Sequence, residues 1–162
     1  MNLEQIVTAF VNESIELDEY IKQVNTLTLK EVSDIYKINQ TDHMDQRMHA
    51  ILIIWLLKHS FIHLAKDIDN PYLSYLDELI DDEEVQSIRF LTITKVYIMA
   101  HIVTNKDNIY MIINHSNEEL SVKLPKEIAN RVVYCFNCND DLPLGSRLSI
   151  PEYSFYALKT NE

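Results

Sequence analysis

Glycine is almost missing from this chain, and its scarcity limits what the chain can fold into. The 162 residues include one glycine, Gly145, whereas average usage of about 7% would give roughly eleven in a chain of this length. Glycine-rich phosphate loops, nucleophile elbows and dinucleotide-binding turns need glycine for a positive φ angle or a close backbone approach. The composition therefore excludes the enzyme classes that depend on those turns.

The charge balance is strongly acidic, because 25 acidic and 14 basic side chains give a formal net charge of −11. Nucleic-acid binding needs clustered cations and none are clustered here, so we expect no nucleic-acid partner. The longest apolar run, Ala50 to Leu57, is far shorter than the roughly 20 residues that span a bilayer. The first residues lack the basic segment of a secretory signal. We therefore expect a soluble, cytoplasmic protein without membrane association.

Hydrophobic periodicity changes along the chain from helical to extended. Apolar residues recur at helical spacing over 3–37 and again over 44–59, where residues 50–57 are apolar on nearly all sides and should be buried. Thr28 and Glu31 have the spacing of a capping box. After residue 86, short β-branched and aromatic segments are separated by turn residues. The sequence thus predicts an α+β fold, with a helical region (1–86) packed on a small antiparallel β-domain (87–162).

Two pairs of residues with metal or redox spacing have ordinary explanations. Cys135 and Cys138 form a C-x-x-C, but no further cysteine completes a zinc site and the flanks do not fit a redox helix, so we predict two reduced thiols at a strand end. His59 and His63 are four residues apart, yet Ser60 stands where a zincin has glutamate, so we predict partly buried or interface histidines. We expect no metal and no cofactor.

The acidic run from Asp81 to Glu84 is typical of a solvated helix face. Paired carboxylates perform glycoside hydrolysis, but adjacent residues on a helix point about 100° apart and cannot flank one substrate. The run therefore predicts a surface and not an active site.

The segment MIINHSNEELSVKLP, Met111 to Pro125, is interpreted as a β-hairpin with a polar turn. Together with the upstream KVYIMAHIVTNKDNIYMIINH and the closing RLSIPEYSFYALK, it resembles the C-terminal β-domain of α-amylase superfamily enzymes, especially oligo-1,6-glucosidases. His115 replaces the family's usual aromatic residue, and the order Pro151-Glu152-Tyr153 departs from the family's Pro-Tyr-Glu. The resemblance is most specific over residues 95–159. Residues 48–85 are similar to the last units of the family's barrel but lack its diagnostic glycines.

The resemblance implies an ancestry without the activity. The family's nucleophilic Asp and acid Glu lie upstream of the matched region, and Asp42, the nearest counterpart of its third carboxylate, lacks the motif's histidine. Retaining hydrolysis needs two carboxylates about 5–5.5 Å apart across the sugar, whereas Glu118 and Glu119 are expected to be turn residues on a solvated edge. We therefore expect no catalytic residue, and a non-catalytic, glucosidase-derived accessory or interaction protein.

Two other functions stay open: an α-glucosidase fragment that acts only with a complementary chain, and a small carbohydrate-binding module. The aromatic residues available for contact with a sugar or a protein partner are Tyr110, Tyr134, Tyr153 and Tyr156, although their apolar neighbours favour core positions. In the family this β-domain packs against the barrel. The resemblance therefore implies a protein partner or self-association, with carbohydrate as the alternative ligand.

Overall fold

The chain, described here from a computed structural model, divides into two compact units, residues 1–82 and residues 83–162. The structure describes residues 2–32, 44–58, 84–125, 128, 131–136 and 146–160. The described helices are α1 (Leu3–Val11), α2 (Leu17–Asn25), α3 (Leu29–Val32) and α4 (Met44–Lys58). The described strands are β1 (Val85–Ile93), β2 (Tyr97–Thr104), β3 (Asn108–Asn114), β4 (Leu120–Lys123), β5 (Val132–Phe136), β6 (Arg147–Ile150) and β7 (Phe155–Thr160). Helices followed by an antiparallel β-domain confirm the predicted α+β class.

Side-chain caps define where α1 and α3 begin. Asn2 and Gln5 form a reciprocal capping box at the start of α1, which the sequence analysis did not predict. The predicted box before α3 is confirmed: the Thr28 amide donates to Glu31 Oε1 at 3.1 Å, and the Glu31 amide donates to Thr28 Oγ1 at 3.3 Å. Each box satisfies backbone donors that a helix N-terminus leaves without intrahelical partners.

The first unit has its core where α1, α2 and α4 meet. Every residue of α4 from Ala50 to Leu56 is buried, as predicted for this apolar run, while its last residue, Leu57, is half-buried. Tyr20 of α2 is fully buried, stacks on Phe10 with ring centroids 4.1 Å apart, and donates its hydroxyl to the Ala50 carbonyl at 2.9 Å. The hydrogen bond removes the cost of burying the tyrosine hydroxyl.

The second unit contains two antiparallel sheets. The larger has the strand order β1-β2-β3-β7-β5, and the smaller pairs β4 with β6. The prediction that Met111 to Pro125 forms a hairpin is wrong, because β3 pairs with β2 and β7 while β4 pairs with β6. The polar turn between β3 and β4 therefore carries the chain from one sheet to the other.

Side chains from both sheets form the core between them. Val122, Leu148 and Ile150 come from the smaller sheet and meet residues of the larger sheet, including Met99, Ile112, Tyr156 and Leu158. Packed apolar faces of two antiparallel sheets make a small sandwich. None of the described helices combines the length and the apolar character that a membrane crossing requires.

Candidate functional site

The four tyrosines predicted as contact residues lie in different environments. Tyr156 is 3% exposed and belongs to the core between the sheets. Tyr110 and Tyr153 are half-buried, so part of each side chain reaches solvent. Tyr134 lies in β5, and its side chain falls outside the described residues. Contact of any of them with a ligand stays a prediction, and among the described side chains Tyr110 and Tyr153 are the accessible ones.

The turn after β3 is held by a buried asparagine. Asn114 is fully buried, and its side-chain nitrogen lies 2.9 Å from the Glu118 carbonyl oxygen, 3.2 Å from that of Ile150 and 3.0 Å from that of Pro151. Two amide protons serve three acceptors, so one bond is shared. Its Oδ1 accepts from the Ser116 hydroxyl at 2.7 Å. The Asn-x-Ser that carried the family resemblance thus has a structural role, joining the β3–β4 turn to the end of β6.

Tyr153 has a strained backbone beside this turn. Its φ angle is +47°, a left-handed conformation that costs a non-glycine residue about 1–2 kcal/mol. Its amide donates to the Ser116 carbonyl at 3.0 Å, and its ring meets His115 edge-on with centroids 5.5 Å apart. The surrounding contacts therefore impose this conformation and hold the Tyr153 ring next to His115.

Three polar side chains, Arg89, His101 and Tyr110, lie side by side on β1, β2 and β3. His101 and Tyr110 are direct cross-strand partners, and their rings stack with centroids 4.5 Å apart and planes within 5°. His101 Nε2 lies 2.8 Å from Asn108 Oδ1, so the imidazole and this side-chain amide are hydrogen-bonded. Arg89, the partner of His101 on β1, is exposed. This geometry orients the imidazole and is explained by cross-strand packing.

Exposed apolar side chains gather at the tip of the β1–β2 hairpin. Leu91, Ile93 and Val96 are 38%, 46% and 39% exposed, and they are the exposed large hydrophobic residues of the described chain. We call these three residues the hairpin-tip patch. Sequence reasoning missed the patch because it predicted short strands after residue 86 without identifying the turn at Thr94–Tyr97. The bulge between Phe90 and Thr92, which displaces Leu91 from the ladder, also leaves no signal in the sequence.

The hairpin tip is rigidly constructed. The Thr94 hydroxyl oxygen accepts from the Tyr97 amide at 2.9 Å and from the Val96 amide at 3.2 Å, while the Thr94 amide donates to the Tyr97 carbonyl at 2.9 Å. The Val96 carbonyl in turn accepts from the His115 amide at 2.8 Å. This bond places the backbone of Val96 next to that of His115, whose ring contacts Tyr153.

Two acidic residues follow Asn117 in the β3–β4 turn. Glu118 and Glu119 are exposed at the β3–β4 turn, which confirms their prediction as turn residues. No group of three metal-binding side chains occurs within the described ranges. Several predicted positions lie outside the described residues: Asp42, His59, His63, Asp81, Asp82, Glu83 and Cys138. Glu84 is described and exposed, and Cys135 lies in β5.

Similarity to known proteins is found among solved structures. No family model matches the chain, and no curated protein matches it. Among solved structures, the chain is similar to isomaltulose synthase from Klebsiella sp. LX3, at 12% identity and a TM-score of 0.37, over 69% of this chain and 18% of the enzyme. The chain thus spans less than a fifth of that enzyme's length. At this level of similarity, neither the fold nor the activity of the enzyme transfers to the chain.

Proposed function

We propose that this protein is a non-catalytic, glucosidase-derived accessory protein that acts by binding another protein. The observation that carries the proposal is the hairpin-tip patch, whose three side chains are each more than a third exposed. Apolar side chains gathered on a rigid surface mark contact sites more often than scattered ones do. Val96 of the patch is bonded through its backbone to His115, and the His115 ring contacts Tyr153, an aromatic residue of the kind that anchors protein interfaces.

The ancestry in the proposal rests on the sequence resemblance over residues 95–159. In that family the equivalent β-domain supports the enzyme by packing against the barrel, without performing the chemistry. The Asn114 and Ser116 contacts agree with the resemblance, because the residues that define it hold the turn between the sheets. The neighbouring carboxylates, Glu118 and Glu119, are exposed on that turn and form no enclosed pair of the kind that retaining hydrolysis needs.

Hydrolysis and sugar binding are tested first, because they distinguish the proposed accessory protein from an α-glucosidase fragment and from a carbohydrate-binding module. The purified chain is incubated with p-nitrophenyl α-glucoside, and its amide NMR spectrum is recorded with isomaltose and with maltose. We expect no release of nitrophenol above buffer and no shift of amide signals. Turnover would contradict the non-catalytic proposal, and saturable shifts at Tyr110 or Tyr153 would favour a carbohydrate-binding module instead.

Protein binding is tested from the patch itself. A photo-crosslinking residue, p-benzoylphenylalanine, replaces Ile93 in one variant and Ser121, an exposed residue of β4, in the matched control. We expect a discrete covalent adduct with another protein in cells from position 93 and none from position 121. Adducts of equal yield from both positions, or none from either, would contradict the proposed function.

A further inference from the structure

The smaller sheet carries two cations directly opposite each other on its outer face. In the ladder of β4 and β6, Lys123 pairs with Arg147 and Ser121 pairs with Ser149, and all four residues are exposed. Val122, between two of them, is buried in the core. Because successive side chains of a strand point to opposite faces, the four side chains share the face that is turned away from the core. We call these four residues the β4–β6 outer face.

The pairing of Lys123 with Arg147 does not serve the stability of the sheet. Residues directly opposite in an antiparallel pair have Cβ atoms about 4.5–5.5 Å apart, and like charges at that spacing are destabilising. Neither cation makes an ion pair with a described carboxylate, including that of Glu119 just before β4. The chain has 25 acidic residues, yet no described one offsets the repulsion between these two cations. A bound anion would offset it.

The serine pair adds hydrogen-bond donors beside the cations. Arg147 Nη1 donates to Ser121 Oγ at 3.3 Å, so the guanidinium extends along the face toward the two hydroxyls. A hydroxyl that accepts a hydrogen bond can still donate its own proton, and a guanidinium has further N–H donors. The outer face therefore presents an ammonium, a guanidinium and two hydroxyls together, and these groups suit a ligand with several charged oxygen atoms.

We propose that the β4–β6 outer face binds a phosphate group, either of a phosphorylated small molecule or of inorganic phosphate. A phosphate monoester carries a charge of about −1.5 to −2 at pH 7, which matches the two cations better than the single charge of a carboxylate does. Nucleic acids depend on many phosphate contacts for their affinity, and two cations do not supply them. The site lies on a different sheet from the hairpin-tip patch, so it goes beyond the proposed function.

The binding test uses inorganic phosphate as the probe. The full chain is titrated with sodium phosphate at neutral pH, and the amide NMR signals of β4 and β6 are recorded. Sodium chloride at equal ionic strength is the control for screening. We expect saturable shifts at the four residues of the outer face, with a dissociation constant on the order of 1 mM, and none with chloride. Absence of saturable shifts with phosphate, or equal shifts with chloride, would overturn the inference.

Variants assign the binding to the two cations. We expect Lys123→Gln and Arg147→Gln each to weaken phosphate binding by about tenfold, because each removes one charge-assisted contact. Arg89→Gln, a change of an exposed arginine on β1, removes the same charge from the chain and should leave binding unchanged. Phosphate should also raise the Tm of wild type more than that of Lys123→Gln, since a ligand stabilises the state that binds it. Equal affinity for phosphate in wild type and in both outer-face variants, or an equal loss in Arg89→Gln, would overturn the inference.

A comparison of two phosphate compounds distinguishes the sources of the group. Glycerol 3-phosphate is titrated in the same way as inorganic phosphate, with glycerol as the uncharged control. Tighter binding of glycerol 3-phosphate would support a phosphorylated small molecule, whereas tighter binding of inorganic phosphate would support the free ion. We expect no shifts with glycerol. Equal shifts of the outer-face signals with glycerol and with glycerol 3-phosphate would show that the phosphate group is not recognised, and would overturn the inference.

Discussion

The buried side chain of Asn114 lies 3.0 Å from the carbonyl oxygen of Pro151, joining the last residue of β3 to the end of β6. This bond crosses between the two sheets of the β-domain, since β3 belongs to the larger sheet and β6 to the smaller. Together with the bonds to Glu118 and Ile150, it fixes the turn that carries the chain from one sheet to the other.

Replacement of this asparagine should strongly destabilise the β-domain. We expect Asn114→Ala to lower the free energy of unfolding by about 2–4 kcal/mol, because it removes several hydrogen bonds and leaves buried carbonyl oxygens without donors. Asn117→Ala, a change of an exposed residue in the same turn, should cost less than about 0.5 kcal/mol. Urea titration followed by the amide signals of residues 84–125 measures both. Equal costs for the two variants would show that Asn114 does not hold the turn.

The end of α1 offers a stabilising substitution. Glu13 has a φ angle of +61° just after the helix, where glycine commonly ends a helix without strain. We expect Glu13→Gly to raise the free energy of unfolding by about 0.5–1 kcal/mol, since the left-handed conformation costs a non-glycine residue about 1–2 kcal/mol and glycine loses part of that gain as chain entropy. Fluorescence of Trp55, the single tryptophan, reports unfolding of this unit.

Charge removal alone should not reproduce that gain. Glu13→Gln removes the carboxylate but keeps the strained φ angle, so we expect its stability to stay at or below that of wild type. A gain in Glu13→Gln equal to the gain in Glu13→Gly would trace the effect to charge instead of backbone strain.

Tyr20 makes the helical unit sensitive to high pH. Burial raises the pKa of the Tyr20 hydroxyl well above its ordinary value of about 10. The unfolded chain therefore loses this proton first, so the stability contributed by Tyr20 is complete below pH of about 10 and falls as pH rises toward the folded-state pKa. Tyr20→Phe should cost about 1 kcal/mol at neutral pH, through the lost bond to Ala50, yet lose less stability above pH of about 10. The free energy of unfolding of both proteins is measured as a function of pH. An equal loss of stability above pH of about 10 in wild type and in Tyr20→Phe would contradict the role of the Tyr20 hydroxyl.

Ile93 of the hairpin-tip patch and its cross-strand partner Ile98 differ strongly in burial, so substitutions at the two positions should differ in their effect on stability. Ile93 is 46% exposed and pairs with Ile98, which is fully buried. We expect Ile93→Thr to change the free energy of unfolding by less than about 0.5 kcal/mol, while Ile98→Thr should cost about 2 kcal/mol or more, because it removes buried apolar volume and buries a hydroxyl. Thermal unfolding followed by NMR measures both. A comparable loss in the two variants would mean that Ile93 contributes to the core and is not free for a partner.

The spacing of apolar residues predicted the helices of the first unit well, because burial along these helices follows the same spacing. Five apolar residues of α1 and the run from Ala50 to Leu56 in α4 are buried as expected, and the Thr28–Glu31 box forms. Pairing in the β-domain was predicted less well. Two strands joined by a short polar turn suggest a hairpin, but a turn sequence does not reveal that its flanking strands enter different sheets. That outcome depends on distant contacts, such as those of Asn114 with Ile150 and Pro151.

The candidate site could be predicted only in part from the sequence, because the exposure of its residues also depends on distant contacts. Aromatic residues could be named, but their exposure depends on which face of a strand is covered: Tyr156 is buried in the core, while Tyr110 and Tyr153 reach solvent. The positive φ angle of Tyr153 has no sequence signal, because glycine is the usual residue at such a position. The hairpin-tip patch depends on a bulge and a Thr-anchored turn, both of which are tertiary outcomes.

Photo-crosslinking from position 93 tests the central claim most directly, because the claim is that this surface holds another protein. The yield of adduct from p-benzoylphenylalanine at position 93 is compared with that at position 121, in cells and with excess unlabelled wild-type chain as competitor. We expect one discrete adduct from position 93, reduced by the competitor and absent at position 121. Equal labelling from both positions, or an adduct that the competitor leaves unchanged, would contradict the claim.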